Sequence, residues 1–173
     1  GEGACEVDGK IYQLTWKERD ILIYDAQTLQ TLGSATLPKP ILEGWGIVHD
    51  GTNFLVTDGS NKIYKVNSNW EIVETLAVSD GNREYDNLNE LEMIQGELWI
   101  NRFLTSTILR VNPRNGEVHG LINCENLVKA FKDNGGYDYG NSVLNGIAYD
   151  ETNQKIILTG KQWPIFFEVQ IEQ

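Results

Sequence analysis

An all-β chain arranged as a β-propeller is expected from three features. A short opening pattern recurs four times. Each occurrence is followed by further apolar runs rich in β-branched and aromatic residues. The intervals match a propeller blade. The openings are Gly1-Glu2-Gly3-Ala4-Cys5, Gly44-Trp45-Gly46-Ile47-Val48, Leu88-Asn89-Glu90-Leu91-Glu92 and Leu144-Asn145-Gly146-Ile147-Ala148. Their second positions, 2, 45, 89 and 145, are spaced by 43, 44 and 56 residues. A blade of four antiparallel strands repeats every 40–50 residues or so.

Each opening leads through a turn to a second run: Lys10 to Trp16, Asn53 to Asp58, Glu97 to Asn101 and Lys155 to Thr159. The turns are Asp8-Gly9, Asp50-Gly51, Gln95-Gly96 and Thr152-Asn153. Asp-Gly between apolar runs signals a type I′ hairpin, because both central positions need φ > 0. Third runs follow at Ile21 to Asp25, Ile63 to Asn67, Ile108 to Asn112 and Ile165 to Val169. Fourth runs occupy Leu29 to Leu37, Trp70 to Val78 and Glu117 to Ile122, for 15 strands in all. The composition of these runs suits strands. A β-sandwich is the rival architecture, but it gives no reason for one opening to recur four times. The units run approximately 1–40, 41–80, 85–123 and 141–173, about four blades in a single domain. The longer last interval holds one helical candidate at approximately 124–134, apolar at i, i+3 and i+4 over Glu125 to Phe131, with Gly135-Gly136 as its stop.

Composition narrows the function. The 173 residues carry 14 Lys+Arg against 25 Asp+Glu, a net charge of −11. That balance argues against nucleic acid and anionic membrane as partners, since both need a basic footprint. No stretch is apolar for about 18 residues, so no membrane span is expected. No basic, apolar leader precedes Gly1, so any export signal is expected to be absent or already removed. Two cysteines, Cys5 and Cys124, and two distant histidines supply no zinc-site pattern. Whether the cysteines pair is open. Acyl-hydrolase, P-loop and Rossmann motifs are absent.

In a propeller the first strand of each blade lines the central hole. Glu2, Trp45, Asn89 and Asn145 should then face one another. The ends of the second strands, Trp16, Asp58, Phe103 and Lys161, should form a ring beside them. A carboxylate, an ammonium, amides and aromatics converging on one mouth make a small-molecule site. Bland readings stand beside this one. Trp16 and Trp45 also suit inter-blade core, Lys161 suits a solvated surface, and Asn89 and Asn145 suit turn caps. Asp58, before Gly59-Ser60, reads best as a turn aspartate. Trp163-Pro164 reads best as a rigid corner. Glu2, between two glycines, is hardest to explain blandly.

Seven blocks in order carry a family resemblance. They are Gly1-Glu2-Gly3, Tyr12-Gln13-Leu14-Thr15-Trp16, Glu43-Gly44-Trp45-Gly46, Ser60 after Asp58-Gly59, Leu88-Asn89-Glu90-Leu91-Glu92, Val143 to Asp150, and Leu158-Thr159-Gly160-Lys161-Gln162-Trp163-Pro164. Over essentially the whole chain the sequence resembles the plant-type (papaya and bacterial) glutaminyl-peptide cyclotransferases. The resemblance implies a five-bladed propeller that converts N-terminal glutamine of peptides to pyroglutamate and releases ammonia, with no cofactor or metal. It implies Glu2, Lys161 and Asn89 as catalytic residues and Trp16, Trp45 and Phe103 as substrate-binding residues; the repeat slot adds Asn145 to the substrate-binding set. Phe103 stands where the family has a tryptophan. Family members carry roughly one further blade ahead of the Gly-Glu-Gly block, contributing a phenylalanine and a glutamine. The chain is therefore expected to be a fragment, a processed product or a short form, completed by a second chain or a lost segment. An extracytoplasmic location is implied by the resemblance alone. A propeller that binds a small molecule or peptide without turnover is the alternative.

Overall fold

A computed structural model describes residues 1–135, 140 and 142–171. Gly136 of the expected helix stop, and the last two residues, lie outside the described residues. The four recurring units are four antiparallel sheets, each wound in chain order. The first holds β1 (Ala4–Val7), β2 (Lys10–Leu14), β3 (Asp20–Asp25) and β4 (Thr31–Thr36). The second holds β5 (Ile47–His49), β6 (Phe54–Thr57), β7 (Lys62–Val66) and β8 (Ile72–Ala77). The third holds β9 (Leu88–Ile94), β10 (Glu97–Arg102), β11 (Thr107–Val111) and β12 (Val118–Asn123). The fourth has three strands among the described residues: β13 (Leu144–Asp150), β14 (Lys155–Gly160) and β15 (Phe167–Val169). The first strands are mutual neighbours: β1 meets β5, β5 meets β9, and β9 meets β13. This is a four-bladed stretch of β-propeller.

The core is divided by blade interface, as radial stacking requires. Leu14, Ile21, Leu37, Ile47 and Val56 fill the space between the first and second blades. Leu55, Ile63, Leu88, Leu91 and Ile100 fill the next. Trp99, Ile108, Leu144, Leu158 and Trp163 fill the third, capped by the helix α1 (Glu125–Asp133). Phe131 of α1 stacks on Trp163, with ring centroids 4.1 Å apart and planes 14° apart. The Trp163 indole N–H donates to Ser142 O at 3.0 Å, so the Trp-Pro segment is a buried corner.

The turns divide into two kinds. Asp8-Gly9 and Gln95-Gly96 have positive φ at both positions and join strands in two-residue loops, the type I′ arrangement. Asp50-Gly51 does not. His49 pairs with Phe54, leaving a four-residue loop in which Asp50 Oδ1 accepts from the N–H groups of Thr52 and Asn53. The Asp50 side chain builds an Asx turn instead. The loop at Thr152-Asn153 is equally long, with Asp150 pairing Lys155 and Asp150 Oδ1 accepting from Asn153 N–H.

Candidate active site

Glycines bring the inner strands together. A Cβ at Gly3 would stand 2.8 Å from Gly46 Cα and 2.9 Å from Trp45 O, and one at Gly46 would strike Asn89 O. Both positions directly follow a repeat slot, so the slots Glu2, Trp45 and Asn89 are held side by side. The Gly3 N–H donates to Trp45 O at 2.8 Å, and the Glu2 N–H donates to Leu14 O at 2.8 Å. Buried Thr57 ties the next pair of blades: it accepts from Gly46 N–H at 2.9 Å and donates to Asn89 O at 2.7 Å.

Above these strands Glu2, Trp16, Trp45, Asn89, Phe103 and Lys161 line one cavity of about 310 Å³. Six of the seven candidate residues therefore share a mouth. Lys161 Nζ lies 3.2 Å from Glu2 Oε2, an ion pair joining positions 159 residues apart. The same ammonium sits 5.6 Å from the Phe103 ring centroid. Trp45 meets Phe103 edge-on, centroids 5.5 Å apart at 79°. Asn89 is only 2% exposed, and its Oδ1 has no hydrogen-bond partner.

Asn145 is not among the residues that line this cavity. Its Oδ1 accepts from Glu90 N–H at 3.4 Å, across the third and fourth blades. An amide committed to a neighbouring backbone serves as an inter-blade tie. Asp58 of the expected second ring also turns away: it accepts from Ser60 N–H, Ser60 Oγ–H and Tyr64 Oη–H. It is the turn aspartate its sequence suggests.

Two carboxylates next to the mouth were not singled out by sequence reasoning. Glu43 Oε2 accepts from the indole N–H of both Trp16, at 2.6 Å, and Trp45, at 2.9 Å. These bonds, Trp45's first, hold its carboxyl below the usual range. No local pattern announces a contact spanning 27 residues. Glu90 does leave a signal. The position after each repeat slot reads Gly3, Gly46, Glu90 and Gly146. One blade thus puts a carboxylate where the others have glycine. Burial pushes Glu90 up to about 8, reinforced by the charges of Glu92 and Glu2 and opposed by Leu91 N–H and by Lys161.

A larger cavity, about 640 Å³, opens at the opposite end of the inner strands, lined by Cys5, Glu6, Asp50, Glu92 and Glu151 among others. No Lys or Arg is among the described residues lining it. Cys5 and Cys124 are both free thiols.

Residues 1–171 match the sequence profile of the family described as glutamine cyclotransferase. The chain belongs to the glutamine cyclotransferase family. It is 29% identical to the glutaminyl-peptide cyclotransferase of Arabidopsis thaliana over 174 residues, all of this chain and 53% of that protein. The chain thus spans about half the length of that curated relative. The crystal structure of Myxococcus xanthus glutaminyl cyclase superposes with a TM-score of 0.90 at 28% identity, covering 98% of this chain and 71% of that one. A computationally designed protein, Ika8, superposes at 0.51 with 8% identity, over 96% of this chain and 45% of that one, a likeness of fold alone. No helix among the described residues is long and apolar enough to cross a membrane.

Proposed function

We propose that this cyclotransferase-family chain carries the catalytic mouth of a glutaminyl-peptide cyclotransferase, acting on peptides with N-terminal glutamine. The observation that carries the reading is the Glu2–Lys161 pair set in a cavity walled by Trp16, Trp45 and Phe103. The α-amine of the substrate attacks the carbon of its own γ-carboxamide. A carbon–nitrogen bond closes the five-membered ring, the bond to the amide nitrogen breaks, and ammonia leaves. Amine and amide belong to one residue, so the site's main task is to select the folded conformer. An aromatic cage does that and excludes water.

A free α-amine titrates near 7.7–8.0, so the attacking nitrogen must shed a proton. Glu2 takes it and returns one to the departing nitrogen, general acid–base work that typically supplies ~10²–10⁴-fold. Lys161 aims the Glu2 carboxylate. Asn89 supplies the amide of the cavity lining beside the Glu2–Lys161 pair.

The Trp16 indole is 46% exposed, which leaves one wall open. That exposure favours a second reading, a mouth that binds the peptide terminus without turning it over. Ammonia release from a Gln-dipeptide by this chain, set against Glu2→Gln, separates the two. Turnover by the parent and its loss in Glu2→Gln, with fold unchanged, support catalysis. Equal rates in both exclude it. An extracytoplasmic location belongs to the same proposal and rests on the resemblance.

A further inference from the structure

Trp16 follows β2 of the first blade, and Trp45 precedes β5 of the second. The two indoles therefore belong to different sheets. They are joined through a single atom, Glu43 Oε2, which accepts both ring N–H groups at 2.6 and 2.9 Å. The backbone around this carboxylate is pinned from both sides. Gly44 N–H donates to Trp16 O at 2.9 Å, and Trp45 N–H donates to Thr57 O at 3.0 Å. A Cβ at Gly44 would lie 2.6 Å from Thr15 O, so the strap carrying Glu43 lies directly against the first blade.

The two rings differ in what else holds them. Trp45 rests over Gly59, whose missing Cβ would come within 2.7 Å of the indole, and its ring abuts Phe103. Trp16 is half exposed. Apart from Glu43, its side chain meets Lys17, whose Nζ lies 4.0 Å from the ring centroid. A flat ring with little packing takes its orientation from its one directional bond.

We propose that Glu43 is a positioning residue that holds Trp16 in line with Trp45, so that the aromatic wall of the mouth is set before the substrate arrives. This rests on the reading of that mouth as a site for an N-terminal glutamine. Glu43 acts through the indoles and takes no part in proton transfer. Its reach matters more than its charge.

Three variants separate reach from charge: Glu43→Gln, Glu43→Asp and Glu43→Ala. The Gln carbonyl has the length and the two lone pairs to accept both indoles. Asp keeps the charge but draws the oxygen back by one methylene. KM for a Gln-dipeptide is expected to rise about tenfold in Asp and Ala, with kcat changed less, and to stay within about threefold of the parent in Gln. Acrylamide quenching of Trp16, taken as the difference from a Trp16→Phe variant, is expected to increase in Asp and Ala alone. The reverse order, with Asp like the parent and Gln impaired, would mean that the charge attracts the substrate ammonium and would overturn the proposal. So would unchanged quenching in Asp. If Ala fails to fold, the Gln and Asp pair carries the same decision. Where the parent releases no ammonia, the cyclisation reading fails; dipeptide affinity and Trp16 quenching then still decide the role of Glu43.

Discussion

The two ends of the inner strands treat carboxylates in opposite ways. At the mouth, Glu2 keeps a cation at 3.2 Å. Toward the far end Glu92 makes no ion pair among the described residues, and burial pushes it up to about 7; Glu90, which lines neither cavity and feels both Glu92 and the Glu2–Lys161 pair, is pushed up to about 8. One end compensates a charge, and the other suppresses it. The same strands supply both ends, so the difference lies in what the loops bring. The segment after β14 delivers Lys161 to the mouth, while the described lining of the far cavity has no Lys or Arg. A compensated carboxylate near an aromatic wall can exchange protons with a ligand. A suppressed one mainly makes stability depend on pH.

The sharpest way to break this contrast is to neutralise one carboxylate at each end. Glu2→Gln is expected to lower kcat for a Gln-dipeptide by at least about 10²-fold. Glu92→Gln, far from the mouth, is expected to leave it within about twofold. Comparable losses in both would mean that the ends act together. Gly46→Ala should next damage both ends at once, because its Cβ strikes the Asn89 backbone and parts the second and third blades. A fall in Tm of several degrees is expected, at about 2–4 °C per kcal/mol for a chain of this size.

Glu90 gives a pH test. Its pKa in the fold is about 8, raised from an ordinary value of 4.5. The folded state therefore holds a proton that the unfolded state has released between those values, and stability falls as pH rises through that window. The groups that bear on it are Glu2, Glu92 and Lys161. Glu90→Gln should match the parent in Tm near pH 4 and exceed it by several degrees near pH 9. A constant gap would place Glu90 in water. The smallest effect concerns Cys5, whose thiol is pushed up to about 12, first by burial and then by Glu92 and Glu90. The thiolate is the reactive form. Alkylation by iodoacetamide at pH 8, followed by mass, should be far slower at Cys5 than for a fully exposed cysteine in a short peptide.

The fold was legible because strands in a repeat announce themselves locally. Ile63 to Asn67 and Ile108 to Asn112, for example, fall on β7 and β11 with shifts of one residue. The turns were less so. Asp50-Gly51 has the type I′ letters, but Asp50 Oδ1 captures two backbone N–H groups and opens a longer loop. In the site, the slots Glu2, Trp45 and Asn89 could be counted off by period. Asn145 occupies the same slot yet turns its amide to Glu90 N–H, because a neighbouring blade presents a donor there.

The chain of letters sufficed for the number of strands in each unit, the family and the residues that approach a common mouth. The strand count and the slots follow from periodicity, which is written one residue after another, and the family from the resemblance of ordered sequence blocks. Folding settled which side chains speak to each other, Glu43 to two indoles and Lys161 to Glu2, and which carboxyl is buried, as Glu90 is. Those contacts join different blades, and their energies depend on distance and burial, which no local pattern encodes.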